Sequence, residues 1–182
     1  AAVAYTGTGS NRTVSHNLGV TPEMMWIKCR SNTDNWVVFH KDVGATKILQ
    51  LNNDIAATTT STRFNDTAPT SSVFTISTDN EVNGSGRTYI SYHFATVAGV
   101  SKVGSFTATG SDVNVDCGFT NGAKFVLIKR TNTSDDWFIF RDIVAGNDKR
   151  LKVNTTDAEA TGSDYIDPLS SGFTMTSVFF SF

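Results

Sequence analysis

Apolar and polar residues alternate along short segments of this chain, and runs of Asn, Asp, Ser, Thr and Gly divide the segments. A period of two broken by turn residues predicts strands and not helices. The two most apolar segments, Glu23–Arg30 (EMMWIKCR) and Lys124–Arg130 (KFVLIKR), are apolar on both faces in the middle. That pattern predicts central strands covered on both sides. Each is followed by a polar turn, Ser31–Asn35 or Thr131–Asp136, and then by a second apolar run, Trp36–His40 or Trp137–Arg141. A loop of about five residues between such runs predicts a hairpin in each half. Shorter strands are expected at Arg12–Ser15, Lys47–Leu51, Val73–Ser77 and Tyr89–Phe94, a spacing that suits an antiparallel β-sandwich.

The two halves repeat each other. Displaced by 101 positions, residues 5–40 align without a gap to 106–141. Thr6, Thr8, Gly9, Ser10, Val14, Ile27, Lys28, Asp34, Trp36 and Phe39 meet identical residues there. Beyond residue 40 the offset drifts, as loops of unequal length produce. Leu49, Leu51 and Asn52 then match Leu151, Val153 and Asn154, and Ser71–Ser77 match Ser170–Thr176. The first half carries a turn-rich insertion, Thr78–Gly86, ahead of the strand-like Thr88–Ala95. In the second half Val178–Phe182 is expected to take the place of that last strand. An internal repeat of this length predicts one fold used twice, with a first module at 1–97 and a second at 98–182.

Composition supports an all-β chain. Among 182 residues there are 26 Thr, 18 Ser and 13 Phe, against six Leu, three Glu and one Gln. The abundant types suit a pleated, half-buried surface, and the scarce ones are the good helix formers. The net charge of -2 comes with scattered Lys and Arg, and no run of them tracks a phosphate backbone, so nucleic acid is not an expected partner. No apolar stretch approaches the roughly 20 residues of a membrane helix. Membrane insertion is not expected either.

Catalytic signatures are missing from the sequence. His16, His40 and His93 stand at no metal-ligand spacing, and no Gly-x-Ser-x-Gly surrounds a serine. His16 aligns with Cys117 and His40 with Arg141, so neither position repeats. Glu23, Glu81 and Glu159 show no pairing suited to glycoside hydrolysis. The Thr-Gly-Thr-Gly-Ser run at Thr6–Ser10 precedes no helix and is not a phosphate loop. We expect no enzyme, no metal and no cofactor. Cys29 and Cys117 fall at non-equivalent positions, which argues against a shared disulfide framework.

The candidate ligand-binding residues are those of the two polar turns: Asp34, Asn35, Trp36, Asp135, Asp136 and Trp137. Indole rings offer a flat platform for the CH groups of a sugar. Their identical placement at the start of a strand in both halves favours packing, since large aromatics are mostly buried. The carboxylates carry oxygen ligands for a cation, but the spacing is not that of an EF-hand. A solvated turn is their expected role.

The runs Tyr5–Ser10, Ser15–Lys28 (SHNLGVTPEMMWIK) and Asn35–His40, with Gly118–Thr131 and Asp136–Phe140 in the second half, resemble a module of tail-fibre and other virion-surface proteins of tailed phages, frequent in marine phages and cyanophages. Ser171–Thr174 also fits the family's strand entry, with Ser in place of Asn. The resemblance covers nearly the whole chain. It implies two tandem antiparallel β-sandwich modules, jelly-roll or laminin-G-like, on a virion appendage. It further implies a homotrimer, contact with other virion proteins and recognition of a host cell-surface glycan. The alternatives are a capsid decoration or head-fibre protein and a polysaccharide depolymerase, although depolymerases of the tailspike kind are built from much shorter repeats. Such modules often occur inside longer chains, which agrees with a sequence that lacks an initiator Met. The family supplies no catalytic residues to carry over.

Overall fold

Strand-forming segments account for 36% of the chain and helix for 4%, so the protein is all-β, and its sheets are antiparallel. The computed structural model describes residues 1–181. Two compact units divide it: Ala1–Ala95 with Arg130–Asp135, and Thr96–Lys129 with Asp136–Phe182.

The first unit holds β1 (Ala2–Thr6), β2 (Arg12–Ser15), β3 (Met24–Cys29), β4 (Trp36–His40), β5 (Lys47–Gln50), β6 (Thr58–Thr59), β7 (Val73–Ile76), the short helix α1 (Asn80–Asn83) and β8 (Thr88–Phe94). Six of these strands form one sheet in the order β1-β8-β3-β4-β5-β6, and β2 pairs with β7 in another. The central place of β3 follows from its sequence. Alternation puts Met25, Ile27 and Cys29 on a fully buried face, and Met24, Trp26 and Lys28 on the other. On β8 the same alternation buries Tyr89, Ser91 and His93. One core takes in residues of both sheets: Met25, Ile27, Val37, Phe39, Ile48 and Tyr89 from the larger, Val14, Phe74 and Ile76 from the smaller, with Phe64 and Val82. At roughly 2 kcal/mol per fully buried apolar side chain, this cluster is the main source of the unit's stability.

The helix α1 lies inside the segment expected to be only turns. Asp79 caps it, accepting the backbone N–H of Glu81 at 2.8 Å, and buried Val82 fastens it to the core. Tyr5 crosses to the same helix, its hydroxyl donating to the Val82 carbonyl at 2.7 Å.

In the second unit are β9 (Val113–Asp116), β10 (Phe125–Lys129), β11 (Trp137–Arg141), β12 (Arg150–Lys152), β13 (Ile166–Leu169) and β14 (Gly172–Met175). They form two three-stranded sheets, β10-β11-β12 and β13-β14-β9. Phe138, Phe140, Val126, Ile166, Phe173 and Met175 build the core. Asp148 is buried and ties the entry of β13, accepting the N–H of Tyr165 at 2.5 Å and of Ile166 at 2.8 Å. Burial pushes that carboxyl up from its ordinary value, against the pull of the two amides.

Two expectations are corrected here. The segment 124–130 is not a central strand: β10 is an edge, because no strand among the described residues of its unit pairs on its far side, where β8 covers β3. The chain end is not a strand either. Ser177–Phe180 forms a 3-10 turn, and Phe182 lies outside the described residues. The tighter turn drives Phe179 inward, its ring centroid 5.6 Å from Phe138, 5.8 Å from Phe140 and 6.1 Å from Tyr165. An extended strand sends alternate residues to opposite faces; the turn instead lets neighbouring Phe179 and Phe180 both pack against the core. Also unforeseen were β1, β6 and β13, the last of which carries Pro168.

Three strand pairings recur in the two units. Met24↔His40 through Lys28↔Trp36 join β3 to β4, and Phe125↔Arg141 through Lys129↔Trp137 join β10 to β11. Val38 faces Leu49 as Ile139 faces Leu151. Arg12↔Ile76 through Ser15↔Val73 correspond to Val113↔Met175 through Asp116↔Gly172. Even the turn before β2 recurs. Ser10 N–H meets Thr8 Oγ1 at 3.4 Å, and Ser111 N–H meets Thr109 Oγ1 at 3.4 Å. Between them Gly9 and Gly110 adopt φ of 75° and 79°, a left-handed conformation that glycine enters without a Cβ penalty.

Candidate functional site

The polar turns place their six candidate residues at the mouths of the β3–β4 and β10–β11 hairpins. In the first unit Asp34 pairs through Oδ2 with Arg87 Nη1 at 2.8 Å, and its carbonyl accepts Lys28 Nζ at 2.6 Å. Asn35 donates through Nδ2 to Glu81 Oε1 at 2.9 Å and accepts Asn52 Nδ2 at 2.9 Å. Asn52 in turn accepts the backbone N–H of Trp36 at 2.8 Å. Beyond Glu81 the chain of contacts runs into Arg63, whose Nε and Nη2 meet Glu81 Oε2 at 3.0 and 2.8 Å and whose Nη1 pairs with Asp79. Asp135 belongs to this unit by its contacts, with its N–H donating to the Asp54 carbonyl at 2.8 Å and its carboxylate 3.9 Å from Arg130.

The second unit holds the remaining two. Trp137 donates its N–H to Asn154 Oδ1 at 2.8 Å, and Asn154 Nδ2 donates to Asp136 Oδ1 at 2.7 Å. Lys152 bridges Asp136 and Asp157, at 2.9 Å each. Burial opposes the charge of Asp136, but hydrogen bonds from Lys152 and Asn154 outweigh it and hold the carboxyl below its ordinary value. In both units an asparagine seventeen or sixteen residues beyond the strand start locks the first residue of the hairpin's second strand.

The turn side chains are therefore engaged within the fold. Arg87, Glu81, Asn52, Asn154 and Lys152 are their partners, which the sequence did not single out. A signal for two of them was present, since Asn52 and Asn154 coincide in the repeat. The ion pairs carried none, because Arg63 and Glu81 are brought together only by folding.

The two indoles differ. Trp137 is 3% exposed, and a ring so enclosed has no face left for a ligand. Trp36 is half-buried and lies nearly parallel to Tyr92 of β8, with centroids 6.4 Å apart and 24° between planes. On the same sheet face Trp26 packs on Phe94 at 4.7 Å. Aromatic rings thus cross from β4 to β8 on the side of the sheet opposite the core.

Folding also unites two histidines that the sequence separates. His16 and His93 stack with centroids 5.2 Å apart, and Ser91 Oγ lies 2.8 Å from His93 Nε2. Burial first, and then the neighbouring His16, lower the His93 pKa from 6.5 to about 4. This is a Ser–His contact without reach to a substrate, because Ser91 is fully buried and His93 nearly so. Nucleophilic catalysis needs an accessible hydroxyl. Cys29 and Cys117 are free thiols. Among the described residues no group of three or more His, Cys, Asp or Glu side chains is arranged to hold a metal ion, and no helix is long and apolar enough to cross a membrane.

No curated protein and no solved structure matches the chain at a significant level. One family model does, and it spans residues 1–179. The chain accordingly belongs to the family described as a domain of unknown function, DUF7483.

Proposed function

We propose that this chain is a non-catalytic structural segment of a phage virion appendage, a tail fibre, made of two tandem β-sandwich modules that arose by duplication. One observation carries the duplication: the strand registers and the Asn–Trp lock recur at matching positions in both units. Independent sheets meet in many registers, and a one-residue slip inverts every side chain. Coincidence in three strand pairs and a side-chain lock is what copying a gene segment produces. Repetition of a stiff module is in turn the economical way to build an extended fibre, and the sequence resemblance to virion-surface modules points to that setting.

For host recognition the reading favours the first unit. Its candidate surface is the Trp36–Tyr92 pair with the amide-rich turn of Asp34 and Asn35 beside it, since a sugar ring stacks on an aromatic face while its hydroxyls meet amide and carboxylate groups. Titration with host surface polysaccharide tests this. Binding that Trp36→Ala weakens by tenfold or more supports the adhesive role, and no binding at millimolar concentration removes it. Labelled particles viewed by electron microscopy decide between tail and capsid. Release of reducing ends from the polysaccharide by the purified chain would replace the reading with a depolymerase.

A further inference from the structure

The turn side chains of Asp34, Asn35 and Asp136 are already engaged within the fold. Four other polar side chains are not, and they gather round one cavity of the first unit. This cavity, of about 180 Å³, is lined by Asp42, Val43, Lys47, Ala57, Thr131 and Asn132, all of which belong to that unit. Among the described residues no hydrogen bond or ion pair engages the side chains of Asp42, Lys47, Thr131 or Asn132. Asp42 and Lys47 share the space without pairing with each other, whereas nearby Lys41 pairs with Glu23 at 2.7 Å.

Backbone bonds fix the walls. Asp42 and Val43 sit in the tight turn after β4, where the N–H groups of Val43 and Gly44 both donate to the His40 carbonyl at 3.0 Å. The Asp42 N–H meets Nδ1 of the same histidine at 3.3 Å. Lys47 opens β5 and pairs with Thr59 of β6. Just before β6, the Ala57 N–H donates to the Thr131 carbonyl at 2.9 Å, which pins the third wall. Three stretches remote in sequence are thus held round one space before any ligand arrives. A pre-formed site spares its ligand the cost of ordering the chain.

Size and chemistry narrow the occupant. At roughly 30 Å³ per water the space equals about six waters, which suits one sugar ring and not two. A carboxylate only accepts, an ammonium only donates, and an amide and a hydroxyl do both. A ligand that satisfies all four carries donors and acceptors side by side, as adjacent hydroxyls do. Bonds to the two charged groups are the strong ones. Val43 and Ala57 are half-buried and offer apolar surface to ring CH groups. One anion and one cation cancel, so the walls favour neither an acidic nor a basic sugar.

We propose that this cavity is a subsite for a single uncharged hexose ring of a glycan. Asp42 accepts from neighbouring hydroxyls, and Lys47 and Asn132 donate to others. The four polar residues are exposed, so one ring can enter while the rest of the glycan stays in solvent. The inference rests on the adhesive reading but not on the Trp36–Tyr92 surface, since Trp36 starts β4 and Asp42 follows its end.

An NMR titration of the full chain with glucose, galactose and mannose, each to tens of millimolar, tests it. At least one hexose should give saturable amide shifts confined to residues 42–47, 57 and 131–132. Asp42→Ala and Lys47→Ala should each weaken that binding by about tenfold or more. Lys149→Ala, at an exposed position of the second unit, should leave it unchanged. Substitutions at such exposed positions seldom unfold a protein, and unaltered amide spectra away from the cavity verify this. No saturable shift at the cavity with any of the three sugars overturns the inference, as does binding there that survives both substitutions. Glucuronate or glucosamine bound about tenfold tighter than every neutral hexose overturns the uncharged class. Failure of the adhesive reading looks different: hexose shifts at the cavity would then accompany no binding of host surface polysaccharide. Shifts at Trp36 and Tyr92 alone would keep that reading and sink the cavity.

Discussion

Asn52 and Trp36, sixteen residues apart, are joined by a 2.8 Å hydrogen bond from the backbone N–H of Trp36 to the side-chain oxygen of Asn52. Asn154 and Trp137 repeat the bond at 2.8 Å in the second unit. Asn52 is exposed and Asn154 half-buried. Removing a partner costs more where water cannot replace it. Asn154→Ala should therefore destabilise its unit by about 2 kcal/mol and Asn52→Ala by about 1 kcal/mol or less. Urea unfolding followed by tryptophan fluorescence measures both, and equal losses would contradict the assignment.

The unequal burial of the two indoles separates packing from binding. Trp137→Ala empties an enclosed site and should cost about 3–5 kcal/mol. Trp36→Ala, at a half-buried position stacked on Tyr92, should cost no more than about half of that. Thermal unfolding of the two variants gives the comparison, and a Trp36 variant as damaged as the Trp137 variant would make Trp36 a core residue.

A pH dependence follows from His93. Its pKa falls from 6.5 to about 4 on folding, so the unfolded chain binds a proton between those values and the folded chain does not. Stability is full above pH 6.5 and declines as the pH drops toward about 4, where the loss levels off. The upper bound on this contribution is about 3 kcal/mol. His93→Gln should flatten the curve across that window. A His93 imidazole titrating near 6.5 by NMR in the folded chain would refute the assignment.

Lys152 contributes through a partly exposed pair of ion bridges to Asp136 and Asp157. Exposed bridges are worth little, so Lys152→Ala should cost less than about 1 kcal/mol. The Asp136 carboxyl should rise toward its ordinary value, since a lysine hydrogen bond helps to hold it down. A carbon-detected NMR titration of Asp136 in the two proteins reads this directly. An unmoved carboxyl would leave Asn154 as the controlling partner.

Phe140 is fully buried and touches Phe179 of the 3-10 turn at 5.8 Å. If that turn closes the second core, Phe179→Ala and Phe140→Ala should each cost about 3 kcal/mol or more and be non-additive, because the rings share one cavity. Additive losses in a double-mutant cycle would detach the turn from the core.

Local pattern made much of the fold legible. The runs Trp36–His40 and Trp137–Arg141 form strands with the expected bounds, because alternation and turn residues act over a few neighbours. Pairing was harder to read. Segments 23–30 and 124–130 look alike, yet β3 lies in the middle of its sheet and β10 at an edge. Whether a strand is central depends on a distant segment arriving beside it, and nothing within its own residues records that.

The candidate site divides along the same line. Trp36 and Trp137 are equivalent in sequence, and their positions in the ladders are too. Their exposures and the partners of their turns differ. Glu81, itself paired with Arg63, and Arg87 reach the first turn across the folded unit, while Lys152, which also pairs with Asp157, serves the second. By itself the sequence determined the hairpin strands and the spacing of the repeat, since both arise from short-range alternation of apolar and polar residues. Tertiary structure alone decided which edges are covered, which rings are enclosed and which charges meet, because each depends on surface supplied by residues remote along the chain.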